Sequence, residues 1–491
     1  MFTFATTLLV LLNERERKQL YWLLVTMGGM AVIEVASIGS IMPFMGVVTN
    51  PEYVFENKWL HAAYNLFNFS APKYFLLALG IAVLLILLIS NTTTAAVTWW
   101  IFRYSWMRNH SIATNLLHRY LNRPYEFFLN RNTEELKKNV LDEVQLVVIS
   151  ILISLLMVVK NGMAIIFICA LLIFIDPVLA VIVSGTLGGA YFLVFRFSSK
   201  VLRRIGMERA DANEKRFRII SESLNGIKIL KVLGKEQYFW SGFAAQSFIV
   251  STNFAKKAII GSLPRYAFEV LAFGGIIIIV LYFLATDKQL DQIVPLLSLY
   301  AFAGYRLLPS MQTVFNRVSS IKYALPSLDL LYKAHIEGDD YEKSPEKTDD
   351  NRALTLNSSI CLKAITYAYP GQKDPIFRDL NLTIPARKTV GFAGPTGAGK
   401  TTIIDLILGL LAPNTGKLLI DSNNIDIQSV AVWQRMIGYV PQEVFLIDDT
   451  VTKNIALGDN LSTIDHEAVV RAARLANLHE FIIHDLSLIH I

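Results

Sequence analysis

The chain has 491 residues, 53% of them hydrophobic and 18% charged, with a net charge of +6. A soluble globular chain carries about 25% charged residues. A disordered chain is therefore excluded, and so is a purely soluble fold, because one core cannot hide this much apolar surface. Cys169 and Cys361 lie far apart, which excludes a disulfide scaffold or a cysteine-rich zinc site.

At the start, Met1 to Leu12 is apolar but is followed by Glu14, Arg15, Glu16 and Arg17. No cleavable signal peptide is expected, and Ala5 to Leu12 reads as an interfacial helix. A helix needs about 20 apolar residues to cross a bilayer. Six runs meet that need: Gln19–Val48, Tyr74–Trp100, Val144–Ile175, Val178–Phe197, Ala258–Ala285 and Ile293 to about Val314. Positive charge sets their orientation. The segments 103–141 and 200–257 carry seven and twelve Lys/Arg, against Lys58, Lys73 and Lys288 on the other side. Both basic segments and both termini are thus expected on the cytoplasmic side.

Each basic segment contains a break. One is Asn122-Arg123-Pro124 before Tyr125-Glu126-Phe127-Phe128, and the other is Leu224-Asn225-Gly226 before Ile227. Long helices projecting from the membrane, with a short transverse helix at each turnaround, are the expected form, because regular loops of this length are uncommon. Ile336–Arg352, IEGDDYEKSPEKTDDNR, is too polar to pack and reads as a linker. From Ala353 the pattern becomes α/β.

Tyr369 stands in an aromatic strand-and-turn, Ile365 to Gly371. Gly394-Pro395-Thr396-Gly397-Ala398-Gly399-Lys400-Thr401-Thr402 then matches the phosphate-loop pattern in full. Thr389–Ala393 is expected to be a strand before it, and Thr402–Leu411 a helix after it. The glycines let successive N–H groups face one anion, and the helix start adds its dipole. Lys400 brings positive charge to the β- and γ-phosphates, and the Thr401 hydroxyl suits magnesium. Ile437–Pro441 reads as a further strand that ends at Gln442, which is in reach of a metal or the γ-phosphate.

An aromatic turn, a phosphate loop about 25 residues on and a glutamine about 40 residues further, fused behind six spans, resemble an ABC exporter half-transporter. The resemblance implies a membrane all-α six-helix transmembrane domain (1–335), a linker (336–352) and the first part of an α/β P-loop nucleotide-binding domain (353–491). It implies ATP and Mg2+ as cofactors, with Tyr369 on the adenine ring and Gln442 sensing the γ-phosphate. It implies a second copy of the chain, or a related half-transporter, as partner. The location it implies is the plasma (inner) membrane, with the nucleotide-binding domain cytoplasmic and no nucleic acid as partner. The family's signature sequence, Walker B carboxylate, catalytic glutamate and switch histidine are not in this chain. Leu486–Ile491 does not resemble the family's continuation. A truncated chain that binds ATP but does not turn it over is the expectation, with no catalytic residue in it.

Charges within the apolar runs cost about 2.5–3.5 kcal/mol each and so report on pathways or internal pairs. They are Glu34, Lys160, Arg265, Glu269 and Arg306. Arg265 and Glu269 stand at i, i+4 and suit each other. Arg306 has Phe302, Ala303, Pro309 and Ser310 at i±3 and i±4, so its anion must come from elsewhere or it faces a wet cavity. Lys160 either snorkels toward the interface or pairs with Glu34. The stretches around Arg265 and Arg306 resemble those of flippases for lipid-linked oligosaccharides, whose cargo carries a diphosphate. Those flippases have a further arginine where this chain has Ser90 or Asn91. The resemblance implies ATP-driven export or flipping of an amphipathic anionic substrate bound through Arg265, Arg306 and Glu34. Lipid A, a peptide or a drug are the competing cargoes. A nucleotide-regulated membrane protein without transport and a nucleotide-gated channel are the competing classes.

Overall fold

The computed structural model describes residues 12–484 apart from 70, 130, 176, 286–289, 343–353, 373, 427–428, 443 and 461. Many side chains between 178 and 199 and between 263 and 297 also lie outside the description. The chain divides into two units. The first is Met1–Glu346 with Ala368–Asp374, and the second is Lys347–Tyr367 with Pro375–Ile491.

The first unit is helical throughout its described elements. α1 (Glu14–Gly39) and α2 (Ile41–Thr49) follow one another, and α3 (Lys58–Leu66) lies before α4 (Pro72–Leu121). α5 (Tyr125–Leu129) precedes α6 (Thr133–Ile175), which contains two π-helical turns, Asn139–Glu143 and Val148–Leu152. α7 (Pro177–Asn225), α8 (Ile227–Leu233), α9 (Glu236–Ala285) and α10 (Leu290–Glu342) complete it.

Local chemistry sets these boundaries. The Glu16 carboxylate accepts from the Asn13 N–H at 2.9 Å, and Pro72 opens α4, where its missing N–H costs nothing. Pro124, which has no N–H to give, stands in the break after α4 and before the five-residue α5. At the second turnaround Gly234, at φ +62°, closes α8 in the left-handed region. Both short helices therefore stand where the sequence places a turnaround. α4 has 50 residues, about 75 Å by helical rise. A bilayer core is about 30 Å thick, so α4 extends far beyond it.

Among the described residues three helical stretches are long and apolar enough to cross a membrane: Glu14–Thr49, Pro72–Leu121 and Thr133–Ile175. They contain the first three expected spans. The fourth and fifth spans, and the start of the sixth, lie on α7, α9 and α10, where most side chains fall outside the description. The expected interfacial helix lies almost wholly outside it. α10 continues through Glu342, past Ile336, and 343–353 lie outside the described residues.

One core joins Leu23, Met27 and Met30 of α1, Val97 and Ile101 of α4, Val147 to Ile153 of α6, and Ala324, Leu328 and Leu331 of α10. A second joins Ile38, Ile168, Leu172, Leu299 and Leu307. The polar network at Glu16 ties α1 to α4: Ser111 Oγ donates to its carboxylate at 2.7 Å, and Tyr104 donates to its carbonyl at 3.1 Å.

The second unit holds a four-stranded antiparallel sheet in the order β2-β1-β3-β4. Its strands are β1 (Ser359–Tyr367), β2 (Phe377–Pro385), β3 (Thr415–Ile420) and β4 (Asn423–Asn424). Leu362 pairs with Leu382 on one side and Leu418 on the other, which makes β1 the central strand. α11 (Lys400–Ile407) follows the glycine loop, and α12 (Val430–Gln434) is held to it by Trp433, whose Nε1 donates to the Ile407 carbonyl at 2.7 Å. α13 (Val451–Ile455), α14 (His466–Leu475) and α15 (His479–His484) follow.

Two expected strands do not form. Thr389–Ala393 and Ile437–Pro441 are extended or irregular, with Val440 92% exposed. A strand is held by its neighbour's hydrogen bonds, and neither segment has a ladder partner among the described residues. α11 also starts at Lys400 rather than Thr402 and stops short of Leu411. Gly409, at φ +68°, ends it where a Cβ would meet the Val430 side chain at 2.4 Å.

Candidate functional site: a phosphate loop and an intramembrane charge cluster

The loop Gly394–Lys400 is built by backbone freedom. Gly397 and Gly399 sit at φ +86° and +85°, in the left-handed region that favours glycine. A Cβ on Gly399 would lie 2.5 Å from the Phe377 ring of β2, so the loop is pressed against the sheet there. Ala398 N–H donates to the Pro395 carbonyl at 3.2 Å, and Ile403 N–H donates to Gly399 at 2.9 Å as the helix begins.

Lys400 Nζ turns back and donates to the carbonyls of Gly394 and Pro395, both at 2.8 Å. The ammonium is thereby held against the loop's own backbone. Thr402 is buried and anchors the helix, whereas Thr401 is exposed one residue before it. These residues fit a nucleotide triphosphate. Glycines in conformations closed to other residues and an opening helix supply N–H donors, and a lysine supplies charge inside the curve. Lys400 and the loop N–H groups would hold the phosphates, and Thr401 would meet Mg2+.

Gly394 to Thr402 are thus brought together in one loop and the helix start that follows it. Gln442 is exposed and makes no hydrogen bond among the described residues. Tyr369 follows β1, and its carbonyl accepts from Gln372 N–H at 3.0 Å. Its segment, Ala368–Asp374, groups with the helical unit.

Of the five charged residues singled out in the apolar runs, four form two pairs. Arg265 and Glu269 meet on α9 at 2.7 Å, as their spacing predicts. Arg306 finds its anion elsewhere: its Nε donates to Glu34, 272 residues away. The hydrogen bond to Glu34 thus comes from Arg306 rather than from Lys160. Lys160 Nζ instead donates to Thr98 Oγ1 at 2.8 Å, although it interacts electrostatically with Glu34 and Arg306. Helical spacing explains the convergence. Glu34 lies one turn from the core residues Met30 and Ile38, Lys160 lies between Met157 and Ala164, and Arg306 lies beside Ala303 and Leu307. Each charge therefore sits on, or at the edge of, a buried stripe.

The threonines on α4 complete the cluster and are not legible as site residues from the sequence. Thr98 Oγ1 donates to the Thr94 carbonyl at 2.7 Å, and Thr94 donates to the Ser90 carbonyl at 2.8 Å. Arg306 Nη2 approaches Thr94 Oγ1 at 3.5 Å. A row of hydroxyls at i, i+4 on an otherwise apolar helix is the one signal that precedes the structure. A second buried group was also missed. Glu143 on α6 lies 3.9 Å from Lys138 and 3.6 Å from Arg209, which donates to Ser327 at 2.9 Å. The π-helical turn puts residues five apart on one face, so no spacing rule finds the Lys138–Glu143 pair.

Comparison with known proteins gives this arrangement its context. Residues 23–303 match the family model for the ABC transporter transmembrane region, and residues 377–488 match that for the ABC transporter. The chain belongs to the ABC transporters. It is 28% identical over 376 residues to an ATP-dependent lipid A-core flippase of Methylococcus capsulatus, covering 76% of this chain and 61% of that protein. It is 23% identical to a putative multidrug export ATP-binding/permease protein of Bacillus subtilis, covering 72% and 60%. A 130-residue stretch is 42% identical to a mitochondrial iron-sulfur clusters transporter of Neurospora crassa, 26% of this chain and 18% of that one. The chain spans about three-fifths of the length of the relatives that it matches over most of its own sequence. Membership places a transmembrane region and a nucleotide-binding region in one chain.

Proposed function

We propose that the chain belongs to an exporter or flippase for an amphipathic anionic substrate of the lipid-linked oligosaccharide class, powered by ATP at the loop around Lys400. In this reading the helical unit has six spans, with α5 and α8 as the transverse helices that receive motion from the nucleotide-binding units. Two copies, or a copy and a related half-transporter, assemble in the plasma (inner) membrane with the nucleotide-binding units in the cytoplasm. Tyr369 stacks on adenine, and Gln442 reaches Mg2+ or the γ-phosphate.

The observation that carries the substrate class is the placement of Arg306. Its side chain remains 30% exposed while that of its partner Glu34 is 4% exposed. A planar fork of donors with one side open suits a phosphate-bearing headgroup. Arg265, on α9, would add a second cation. The similarity to lipid A-core flippases favours a second cargo, lipid A-core, which carries phosphate as well.

Transport of a labelled polyprenyl-diphosphate glycan into proteoliposomes by the full-length protein tests the reading. K400A should abolish transport, and R265Q/R306Q should abolish it while leaving basal ATPase unchanged. Transport that survives the double substitution overturns the substrate class.

A further inference from the structure

We propose that Glu34 is the resident anion of the substrate site: it occupies Arg306 until the phosphate of the cargo displaces it. The inference rests on the reading of Arg306 as a substrate ligand, and it adds a residue that sets selectivity for strongly acidic headgroups.

Three observations carry it. First, among the described residues the cluster holds two basic side chains, Lys160 and Arg306, and one acidic side chain, Glu34. In apolar surroundings an unbalanced cation is costly, so a second anion is favoured there. Secondly, the pair is asymmetric. Glu34 is sealed at 4% exposure and cannot be approached directly, while Arg306 is open at 30%. An incoming anion therefore meets the guanidinium from its free side. Of its five N–H donors, Glu34 takes the one on Nε, and among the described residues Nη2 approaches Thr94. Thirdly, a displaced Glu34 keeps a counter-ion. Lys160 stands within electrostatic range, held by Thr98 one turn from Thr94.

The exchange has a physical consequence. A carboxylate already bound to Arg306 sets the affinity that an incoming anion must exceed. A dianionic phosphate exceeds it through greater charge and three acceptor oxygens, whereas a zwitterionic or neutral amphiphile does not. Glu34 thus works by excluding weak competitors rather than by contacting cargo.

The test measures binding of dioctanoyl phosphatidic acid to the whole chain in micelles, with dioctanoyl phosphatidylcholine as control. Wild type, E34Q, R306Q and E34Q/R306Q are compared. E34Q should bind phosphatidic acid about tenfold more tightly, R306Q about tenfold more weakly, and E34Q should have no effect in the R306Q background. The same order with inorganic phosphate supports the inference with the headgroup alone as ligand. If R306Q weakens binding but E34Q leaves it unchanged or weaker, Glu34 is not the resident anion, and the substrate reading stands. If R306Q binds as wild type does, the substrate reading itself fails and this inference with it. Should E34Q not fold, wild type carries the test: saturating phosphatidic acid should raise carbodiimide labelling of Glu34 severalfold, and unchanged labelling overturns the proposal.

Discussion

Arg306 and Arg265 are both arginines in apolar helices, and the molecule treats them differently. Arg265 pairs with Glu269 one turn along its own helix, and both side chains remain largely exposed. Arg306 reaches across to α1, to a carboxylate sealed in the core, with a threonine of α4 beside it. The first pair is local and cheap to break, because either partner can turn outward. The second holds helices together, because a carboxylate at Glu34 left alone in an apolar core keeps its desolvation penalty without its attraction. The contrast teaches that charge in a span has meaning only through the number of helices that satisfy it.

Replacing Lys400 with Ala should weaken ATP binding by about a hundredfold, measured with a fluorescent nucleotide analogue, since the main phosphate-facing charge is lost. That change should leave the Arg306 pair intact and so separates the two units. R306Q should lower the stability of the helical unit by about 3 kcal/mol, read from denaturant melts in micelles. E34Q/R306Q should recover much of that loss, because no buried charge is then stranded. R265Q should melt within error of wild type. An R265Q loss as large as that of R306Q would erase the distinction between the two pairs. G399A should cost about 1–3 kcal/mol of local strain at its positive φ. Its added methyl would press on Phe377, and nucleotide binding should fall while the helices keep their melt.

The smallest effect concerns pH. Hydrogen bonds from the backbone N–H groups of Asn357, Ser359 and Ser358 hold the exposed Asp421 carboxyl below the usual carboxylate range. A depressed folded value means that the unfolded chain binds the proton more readily. The contribution is therefore fully present above the ordinary carboxylate range and is lost as pH falls through the folded value. Amide signals of Ser358 and Ser359 should move as Asp421 protonates, and D421N should remove that acid transition.

Much of the phosphate site is legible because it is local. The glycines, Lys400 and Thr401 fall within nine residues, and positive φ at Gly397 and Gly399 is a property of the residue type itself. The turnarounds are legible for the same reason, since Asn122-Arg123-Pro124 and Leu224-Asn225-Gly226 are local breaks at which one helix ends and a short one begins. Thr389–Ala393 and Ile437–Pro441 are misread for the opposite reason. Alternation and apolar content state a preference for extended backbone, but a strand also needs a partner that the segment does not contain. Lys160 shows the same limit: it feels the charge of Glu34, but its hydrogen bond goes to Thr98, which no spacing rule names.

By itself, then, the amino-acid order determined everything set by neighbours within a few positions: the apolar runs, the helix breaks, the phosphate loop and the Arg265–Glu269 pair. The tertiary structure alone decided that Glu34 belongs to Arg306, that Lys160 rests on Thr98, and that a π-helical turn brings Glu143 to Lys138. The physical reason is reach. Helical spacing says which face a charge occupies, but only the packing of α1, α4, α6 and α10 says which faces meet.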